Sequence, residues 1–347
     1  MKKIVQLFAL LVLINGCKKE EKLKEPIRSY LNGAFVSNEG SFGSNNAGIS
    51  HISLTGALTN DVYLSANGVE LGDVLQSFTV IGSRGYAVMN NSQKVEVINL
   101  ADMKRVASIT GLSYPRRLVQ IDAQTAFLTN GNFGGEVVIL DLTTNTVLGS
   151  ITVGNGPENI TRSGNAVFVC NSGGWAEDNT VSVIDINSQS VVQTITVGDV
   201  PFDAVTDQTG DVWILCRGKV IYDQSWNIIG HSDAMIYRID GTTFDVETSL
   251  NIGSNGDHPS HLEINPAGDV LYLENSGIYS MSIDADSWTS LIVGAFNSLN
   301  VHPVSGDFWC AAIPNFVSPT PVYNYTSSGI LLNTYITGIG ANGVSFN

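Results

Sequence analysis

The chain alternates short apolar runs with polar, glycine-rich turns, and one version of this pattern is repeated. Residues 137–160 read VVILDLTTNTVLGSITVGNGPENI, and residues 181–204 read VSVIDINSQSVVQTITVGDVPFDA. Eight of the 24 aligned positions are identical. Each copy holds two runs rich in β-branched residues, a polar turn between them, and the start of another run. A repeat of about 40 to 50 residues with four strands per period indicates a β-propeller.

The order of the apolar runs gives seven units, each with strands that we denote a to d from the axis outward. The predicted a strands are residues 74–80, 118–121, 159–162, 203–206, 261–264, 298–301 and 343–346. The predicted b strands are residues 34–38, 86–90, 126–130, 167–171, 212–216, 271–275 and 308–312. We therefore expect an all-β fold, a single seven-bladed β-propeller. Its ring would close by pairing the last strand with the first blade, which removes two exposed sheet edges.

The connections between these strands differ on the two faces of the ring. Because neighbouring strands are antiparallel, the b-to-c and d-to-a connections share one face, which we call the loop-rich face. Its loops are long and rich in aromatic residues, whereas the opposite turn face has short turns. Loops on a rigid scaffold commonly bind ligands. The predicted ligand-binding residues are Phe42, Tyr114, Arg116, Arg117, Phe133, Asn155, Asn159, Asn171, Trp175, Phe202, Trp226 and His258.

Residues 1–16 have the pattern of a secretory signal peptide. Lys2 and Lys3 precede an apolar run, residues 4–13, that is too short to span a membrane. The sequence Leu-Ile-Asn-Gly before Cys17 resembles a bacterial lipobox, whose cysteine carries lipid in the mature protein. We therefore expect lipidation of Cys17, a charged tether over residues 17–29 and the propeller over residues 30–347. The alternative is a plain signal peptide that happens to precede a cysteine.

Composition and charge narrow the range of partners. With 35 Gly and only 14% charged residues, the chain suits many short strands joined by tight turns. Removal of residues 1–16 takes away two lysines and no acid, which leaves 15 cations against 32 acids and a net charge of −17. This charge argues against nucleic acid and against anionic lipid surfaces as partners. Membrane contact is therefore expected through the lipid anchor alone.

Two sets of residues that could suggest chemistry have simpler structural interpretations. Three cysteines lie in predicted strands of different repeats: Cys170, Cys216 and Cys310. An odd number in a secreted chain predicts buried free thiols rather than a disulfide framework. Four aspartates close successive c strands: Asp141, Asp185, Asp240 and Asp284. We expect each carboxylate to accept hydrogen bonds from the turn that follows it, not to bind a metal.

One cluster is typical of an enzyme. His261 and Glu263 would face the same side of a strand, and His258 stands at its entry. These groups could hold a divalent metal or act as an acid–base pair, and the alternative is a polar lining of the axial channel. No P-loop, nucleophile elbow, EF-hand loop or Cys–Cys zinc spacing is present, so we expect no cofactor.

Two neighbouring cations are the second candidate for chemistry. Arg116 and Arg117 follow Tyr114 and Pro115 on the loop-rich face of a chain that has few cations. They are candidates for contact with an anionic or amide-rich ligand. The alternative is that they pair with the many acids of the chain.

The repeats quoted above resemble those of YVTN-type β-propellers, and this resemblance covers residues 30–347. Three further segments, SNEGSFGSNNAGISHI (residues 37–52), ANGVELGDVLQS (residues 66–77) and YPRRL (residues 114–118), resemble Bacteroidetes surface propeller lipoproteins. That group includes the corrinoid-binding partners of TonB-dependent vitamin B12 transporters. The resemblance implies a seven-bladed propeller, anchored at the outer membrane and exposed at the cell surface, that captures corrinoid and passes it to the transporter. Two other classes stay open: a metal-dependent lyase or hydrolase, and a protein-interaction scaffold.

Overall fold

The structure, a computed structural model, describes residues 30–253 and 256–347. Blades 1 to 4 use β1 (Ala34–Asn38), β2 (Gly48–Ile52), β3 (Leu58–Thr59), β4 (Leu75–Ile81), β5 (Arg84–Met89), β6 (Lys94–Asn99), β7 (Lys104–Thr110), β8 (Leu118–Gln120), β9 (Thr125–Asn130), β10 (Gly135–Asp141), β11 (Thr146–Val153), β12 (Pro157–Ser163), β13 (Ala166–Asn171), β14 (Thr180–Asp185) and β15 (Ser190–Thr196). The rest of the ring uses β16 (Pro201–Thr206), β17 (Val212–Cys216), β18 (Val220–Tyr222), β19 (Ile228–His231), β20 (Ala234–Ile239), β21 (Val246–Gly253), β22 (His261–Ile264), β23 (Val270–Glu274), β24 (Gly277–Ser282), β25 (Thr289–Val293), β26 (Ser298–Val301), β27 (Phe308–Ala311), β28 (Pro319–Tyr325), β29 (Leu331–Ile339) and β30 (Ala341–Phe346).

These strands form seven four-stranded antiparallel sheets, which confirms the seven-bladed propeller. From the axis outward, blade 1 is β30-β1-β2-β3 and blade 5 is β16-β17-β20-β21, while each of the other blades uses four consecutive strands. The predicted closure is also present: β30 pairs with β1, with Val344 opposite Val36. The first blade therefore contains both ends of the described chain, and no inner strand of the ring lacks a neighbour.

Two elements were not predicted from the pattern. The long b-to-c connection of blade 5 contains the hairpin β18–β19, which forms a separate two-stranded sheet. A short helix, α1 (Val62–Asn67), follows β3, and Val62 and Tyr63 are buried between blades 1 and 2. Six residues are too few for an apolar period of 3.6 to stand out in the sequence. No helix in the described residues is long and apolar enough to cross a membrane.

The hydrophobic core lies between adjacent blades. For example, Tyr86 and Val95 of blade 2 pack in one cluster with Leu118 and Leu128 of blade 3. The b strands supply large, fully buried side chains: Phe35, Phe127, Phe168, Trp213 and Phe308. Each contributes about 1.5–3 kcal/mol through burial. This packing fixes the strand ends from which the loops of both faces extend.

The three cysteines lie inside this core. Cys170, Cys216 and Cys310 are buried and unpaired, as predicted. Burial raises the pKa of Cys216 to about 12 and raises the pKa of the other two thiols as well. These cysteines therefore act as small apolar side chains.

The aspartates on the turn face confirm their predicted role in three cases of four. Asp141 and Asp240 each accept two hydrogen bonds of 2.7–3.0 Å from backbone N–H groups of the next turn, and Asp185 accepts one of 2.7 Å. These bonds lower the pKa of all three carboxyl groups. The prediction was wrong for Asp284, because β24 ends at Ser282 and the N–H of Asp284 instead donates to the Ser282 hydroxyl at 3.3 Å.

The signal peptide, Cys17 and the tether lie outside the described residues. The first described strand, β1, begins at its turn-face end, since its other end leads into a b-to-c loop. The described chain therefore enters the ring on the side of the turn face.

Candidate functional site

The exposed aromatic side chains are all on the loop-rich face. Six residues between 48% and 80% exposed lie in b-to-c connections: Phe42, Phe133, Trp175, Tyr222, Trp226 and Phe316. No other aromatic side chain is this exposed in the part of the chain that the structure describes. Large apolar groups that remain in contact with water in one region commonly mark an interaction site.

Phe133 and Trp175 form an aromatic pair across the boundary between blades 3 and 4. Their rings pack edge to face with centroids 5.8 Å apart. The Trp175 N–H donates to Asn132 Oδ1 at 2.8 Å, which ties the loop of blade 4 to that of blade 3. Gly156 lies below with φ 51°, and a Cβ there would approach Gly174 N to 2.1 Å. The loop can therefore pack this closely only because position 156 is glycine.

The hairpin β18–β19 carries the second aromatic pair. Tyr222 and Trp226 have ring centroids 5.9 Å apart. The Asp223 carboxylate holds the turn, because it accepts bonds of 2.7 and 2.9 Å from the N–H groups of Ser225 and Asn227. Trp226 has φ 63°, a left-handed conformation that is unfavourable for a large side chain. Because Trp226 is 80% exposed and adopts this unfavourable conformation, its position favours a binding role.

A cleft of about 620 Å³ lies between the blade 4 loop and this hairpin. Lys219 crosses it, 3.0 Å from Glu177 and 3.6 Å from Asp199. Because Glu177 is largely exposed, the first contact contributes at most about 1 kcal/mol to stability. The cleft thus offers charged donors and acceptors between two sets of aromatic rings.

A larger cleft, about 720 Å³, lies on the turn face between blades 4 and 5. Its walls include Asp185 and Asp240, whose carboxylates are bound to the adjacent turns. Exposed aromatic side chains are not found around it among the described residues. We therefore place the candidate site on the loop-rich face despite the smaller volume there.

Polar side chains connect the blades around the axis. Asn342 of blade 1 donates to Leu75 O of blade 2 at 2.8 Å. Arg116 of blade 3 donates to Gln76 of blade 2 at 2.5 Å and to Glu158 of blade 4 at 2.7 Å. Charge-assisted bonds of this kind are about twice as strong as neutral ones. Arg116 therefore joins three blades.

Asp203 continues this connection from blade 4 to blade 6. Its carboxylate accepts bonds from the side chain of Asn159 and from the N–H groups of Ala204 and Leu262, the latter two at 2.9 Å. Asn300 of blade 7 then donates to Glu263 Oε1 at 3.1 Å and accepts from Val344 N of blade 1 at 2.7 Å. Together these contacts form a closed polar belt around the axial channel.

Burial shifts the titration of three groups in the belt. It raises the pKa of Asp203 to about 6 and that of Glu263 to about 8, and the negative charge of Asp203 adds to the effect on Glu263. His261 belongs to the belt through Nε2, which lies 2.9 Å from Asn297 O of blade 7. Its pKa is lowered to about 4 by burial and by the positive charge of Arg117. Although His261 and Glu263 retain some exposure, it is to the channel, where protein surrounds them. At neutral pH both are predominantly uncharged.

The residues predicted as an enzyme site are engaged in other contacts. His258 uses both ring nitrogens: Nδ1 lies 2.9 Å from Arg217 O, and Nε2 lies 3.0 Å from His231 Nδ1. His261 and Glu263 belong to the polar belt. In the described ranges, no group of three or more His, Cys, Asp or Glu residues is placed to hold a metal ion. This arrangement matches the alternative of a polar channel lining; the enzyme hypothesis stays a prediction.

Arg116 and Phe202, two residues of the predicted site, each take part in a cation–π contact. Arg116 lies over the Tyr114 ring, with its guanidinium carbon 5.3 Å from the centroid, and is already paired with Glu158. Phe202 lies instead under the guanidinium of Arg217, at 4.4 Å. Arg217 was not predicted, because nothing in the sequence around it shows that Phe202, fifteen positions earlier, lies beside it.

The three predicted asparagines have different environments. Asn171 is fully buried and donates at 3.0 Å to the hydroxyls of Thr180 and Ser182. Asn159 is engaged with Asp203 in the polar belt. Asn155 lies in the loop that contacts blade 4, where its backbone N–H donates to Asp178 at 2.8 Å. Of the three, Asn155 is therefore the best placed to contact a ligand.

The segments 37–52 and 66–77, which carry the resemblance described above, hold two neighbouring loops together. In residues 37–52, the Gly43 N–H donates to Asp73 Oδ2 at 2.9 Å and the Ala47 N–H donates to Gly72 O at 3.1 Å. Phe42 projects from this loop, next to a contact between the Ser41 hydroxyl and Phe316 O. Much of this motif therefore has a structural role, and Phe42 remains exposed at the rim.

Several solved structures share this fold at low sequence identity. A quinonprotein alcohol dehydrogenase-like protein from Bacteroides thetaiotaomicron is 14% identical, with TM-score 0.67, covering 92% of this chain and 79% of its own. A candidate 6-phosphogluconolactonase from Bacteroides fragilis is 10% identical, with TM-score 0.64, covering 91% and 98%. A functionally unknown protein from Desulfotomaculum acetoxidans is 16% identical, with TM-score 0.66, covering 91% and 98%. At these identities the likeness concerns the fold alone.

No curated protein matches the chain significantly. A family match covers residues 32–290, which include most of blades 1 to 6 and both aromatic pairs. Because this match spans well over half of the sequence, the chain belongs to the family described as domain of unknown function DUF5074.

Proposed function

We propose that this protein is a lipid-anchored binding protein whose loop-rich face captures a large, flat, amide-bearing ligand, a corrinoid. It then delivers the ligand to a TonB-dependent outer-membrane transporter. The observation that carries the proposal is the confinement of all six strongly exposed aromatic side chains to that face. Ligand sites combine such apolar surfaces with a few well-placed polar groups.

The two aromatic pairs suit a flat ligand. Trp175 and Trp226 can each contribute about 1.5–3 kcal/mol if a ring system covers them fully. Between the pairs, Lys219 and Glu177 provide a donor and an acceptor for amide groups. Since the loops are held by Asn132 and Asp223, little conformational entropy is lost on binding.

The choice of corrinoid and of the transporter rests on the resemblance of residues 37–52, 66–77 and 114–118. The anchor rests on Cys17. A tether that joins the ring at the turn face leaves the loop-rich face directed away from the point of attachment. This orientation suits a protein that receives a ligand from outside and presents it to a partner.

Calorimetric titration with cyanocobalamin and with cobinamide tests the proposal. We expect saturable binding of at least one of them to purified protein that begins at residue 18. The absence of heat with either ligand at micromolar protein would contradict corrinoid capture. Co-purification of an affinity-tagged full-length protein with an outer-membrane barrel protein tests the delivery step.

A further inference from the structure

Two arginines at the loop-rich end of the axial channel have no carboxylate partner. Within residues 30–253 and 256–347, the ion pairs use four other cations: Lys94, Arg116, Lys219 and Arg238. Arg117, just before β8, uses its backbone N–H to reach Thr129 but donates no side-chain bond to a described residue. Arg217, just after β17, is the second. Four further cations of the described residues also lack an ion pair, but they lie at the turn-face ends of their strands: Arg84, Lys104, Arg105 and Arg162.

Arg217 is partly buried and incompletely bonded. Its Nε is enclosed without a partner among the described residues, and its only side-chain bond is a long one, 3.5 Å, to His258 O. The Phe202 ring supports one face of the guanidinium at 4.4 Å. Burial lowers the pKa of Arg217, which nevertheless remains charged. A buried donor without an acceptor is costly, so a ligand that supplies an acceptor is favoured.

The acids around these arginines are already bonded to other donors. Glu158 accepts from Arg116, and Asp203 accepts from Asn159 and from two backbone N–H groups. Glu274 accepts from the Ser260 hydroxyl at 2.8 Å, and the neutral Glu263 accepts from Asn300. At this end of the channel, the carboxyl groups therefore already accept hydrogen bonds, whereas the guanidinium groups of Arg117 and Arg217 can still donate them.

The strand ends place both cations at the same end of the channel: Arg117 directly precedes the inner strand β8, and Arg217 directly follows β17, where its carbonyl oxygen lies 2.9 Å from His258 Nδ1. The charges of Arg117 and Arg217 both lower the pKa of His261, although they belong to blades 3 and 5. The other charged groups that face this region are Arg116, Glu158, Asp203 and Glu274. Both arginines therefore lie on the loop-rich face, as does His261 at the start of the inner strand β22.

We propose that Arg117 and Arg217 form an oxyanion site at the loop-rich end of the axial channel, which binds a phosphate or carboxylate group of the ligand. The planar guanidinium groups match the geometry of either oxyanion. This inference deepens the proposed function: the aromatic pairs cover the apolar part of the ligand, and the channel end holds its anionic group. Arg116 is not part of the site, because its guanidinium group already donates to Glu158 and Gln76.

The site is tested first with simple anions, independently of any corrinoid. The ring resonances of His261, assigned with His261→Gln, are followed at neutral pH while inorganic phosphate or acetate is added. We expect a saturable shift with at least one anion at about 10 mM or below. Arg117→Gln and Arg217→Gln should each weaken binding about 10-fold or more, since each removes a charged hydrogen bond. Arg217→Lys, which keeps the charge but loses the planar fork, should give an intermediate loss.

Arg105→Gln is the matched control, because Arg105 is exposed on the outer strand β7 and the same charge is removed there. Wild-type His261 resonances that do not respond to either anion, or glutamine variants that bind like the control, would overturn the oxyanion site. The corrinoid titration separates the two proposals. Cyanocobalamin contains a phosphate that cobinamide lacks. The arginine variants should therefore bind cyanocobalamin more weakly than wild type and bind cobinamide with nearly unchanged affinity. Loss of all corrinoid binding with an intact phosphate response would contradict only the proposed function.

Discussion

Asn300 connects Glu263 to the chain closure: its Nδ2 donates to Glu263 Oε1 at 3.1 Å, while its Oδ1 accepts from Val344 N at 2.7 Å. One side chain thus joins blades 6, 7 and 1. This contact holds the carboxyl group of Glu263, and burial raises the pKa of that group to about 8. The stability of the ring should therefore depend on pH through Glu263.

The sign of this dependence follows from the proton uptake of each state. Between pH 4.5 and 8, Glu263 is protonated in the folded protein and ionised in the unfolded chain, so stability falls as pH rises. Asp203 acts in the same direction up to about pH 6, whereas His261 acts oppositely between about 4 and 6.5. Glu263 therefore dominates from pH 6.5 to 8, with a slope of at most about 1.4 kcal/mol per pH unit.

Urea unfolding of wild type and Glu263→Gln across this range measures the effect. The glutamine keeps an oxygen that can accept from Asn300 but does not ionise, so the free energy of unfolding of the variant should vary less between pH 6.5 and 8. Parallel pH profiles of the two proteins would show that Glu263 does not titrate as stated.

Ring closure gives a second prediction. Val344 is buried in the inner strand β30, so Val344→Ala should lower the free energy of unfolding by about 1–3 kcal/mol. Val293→Ala makes the same substitution at a position that is 89% exposed on an outer strand. It should change the free energy of unfolding by less than about 0.5 kcal/mol. Deletion of residues 343–347 should lower Tm far more than either. An unchanged Tm after this deletion is incompatible with closure through β30.

The ring and its closure were predictable because they depend on local patterns. The b strands recur as apolar runs, and the predicted 34–38 and 212–216 agree with β1 and β17 at both ends. A polar lining of the axial channel was open as an alternative for His261 and Glu263, but the individual bonds of the polar belt were not predictable, since they depend on which inner-strand side chains meet across blades. Asp203 and Leu262, for example, are 59 residues apart. The position of Arg217 over the Phe202 ring likewise depends on a tertiary contact, and the burial of Asn171 could not be recognised from sequence alone.

The predicted lipidation of Cys17 provides the third test. Cys17 follows a signal-like segment, and acyl chains contribute roughly 0.8 kcal/mol per buried CH₂ to membrane attachment. Cys17→Ala should abolish incorporation of labelled palmitate and release the protein from the membrane fraction. Cys170→Ala is the control, because that thiol is buried in the ring and should not affect labelling. A wild-type protein that takes up no palmitate would leave the plain signal peptide as the better interpretation.

The aromatic pairs give the last prediction, in which effects on ligand binding are distinguished from effects on stability. Trp175 and Trp226 are 74% and 80% exposed, so Trp175→Ala and Trp226→Ala should leave Tm nearly unchanged. If each ring covers part of the ligand, each variant should weaken corrinoid binding by about 10- to 100-fold, the equivalent of 1.5–3 kcal/mol. Trp288→Ala is the control on the turn face, in the connection between β24 and β25. It should preserve affinity even if it lowers Tm, because Trp288 packs partly in the core. Corrinoid binding that survives both loop substitutions but is lost in the control would place the ligand on the turn face near Trp288, where Arg238 and residues 284–286 line a cleft of about 460 Å³.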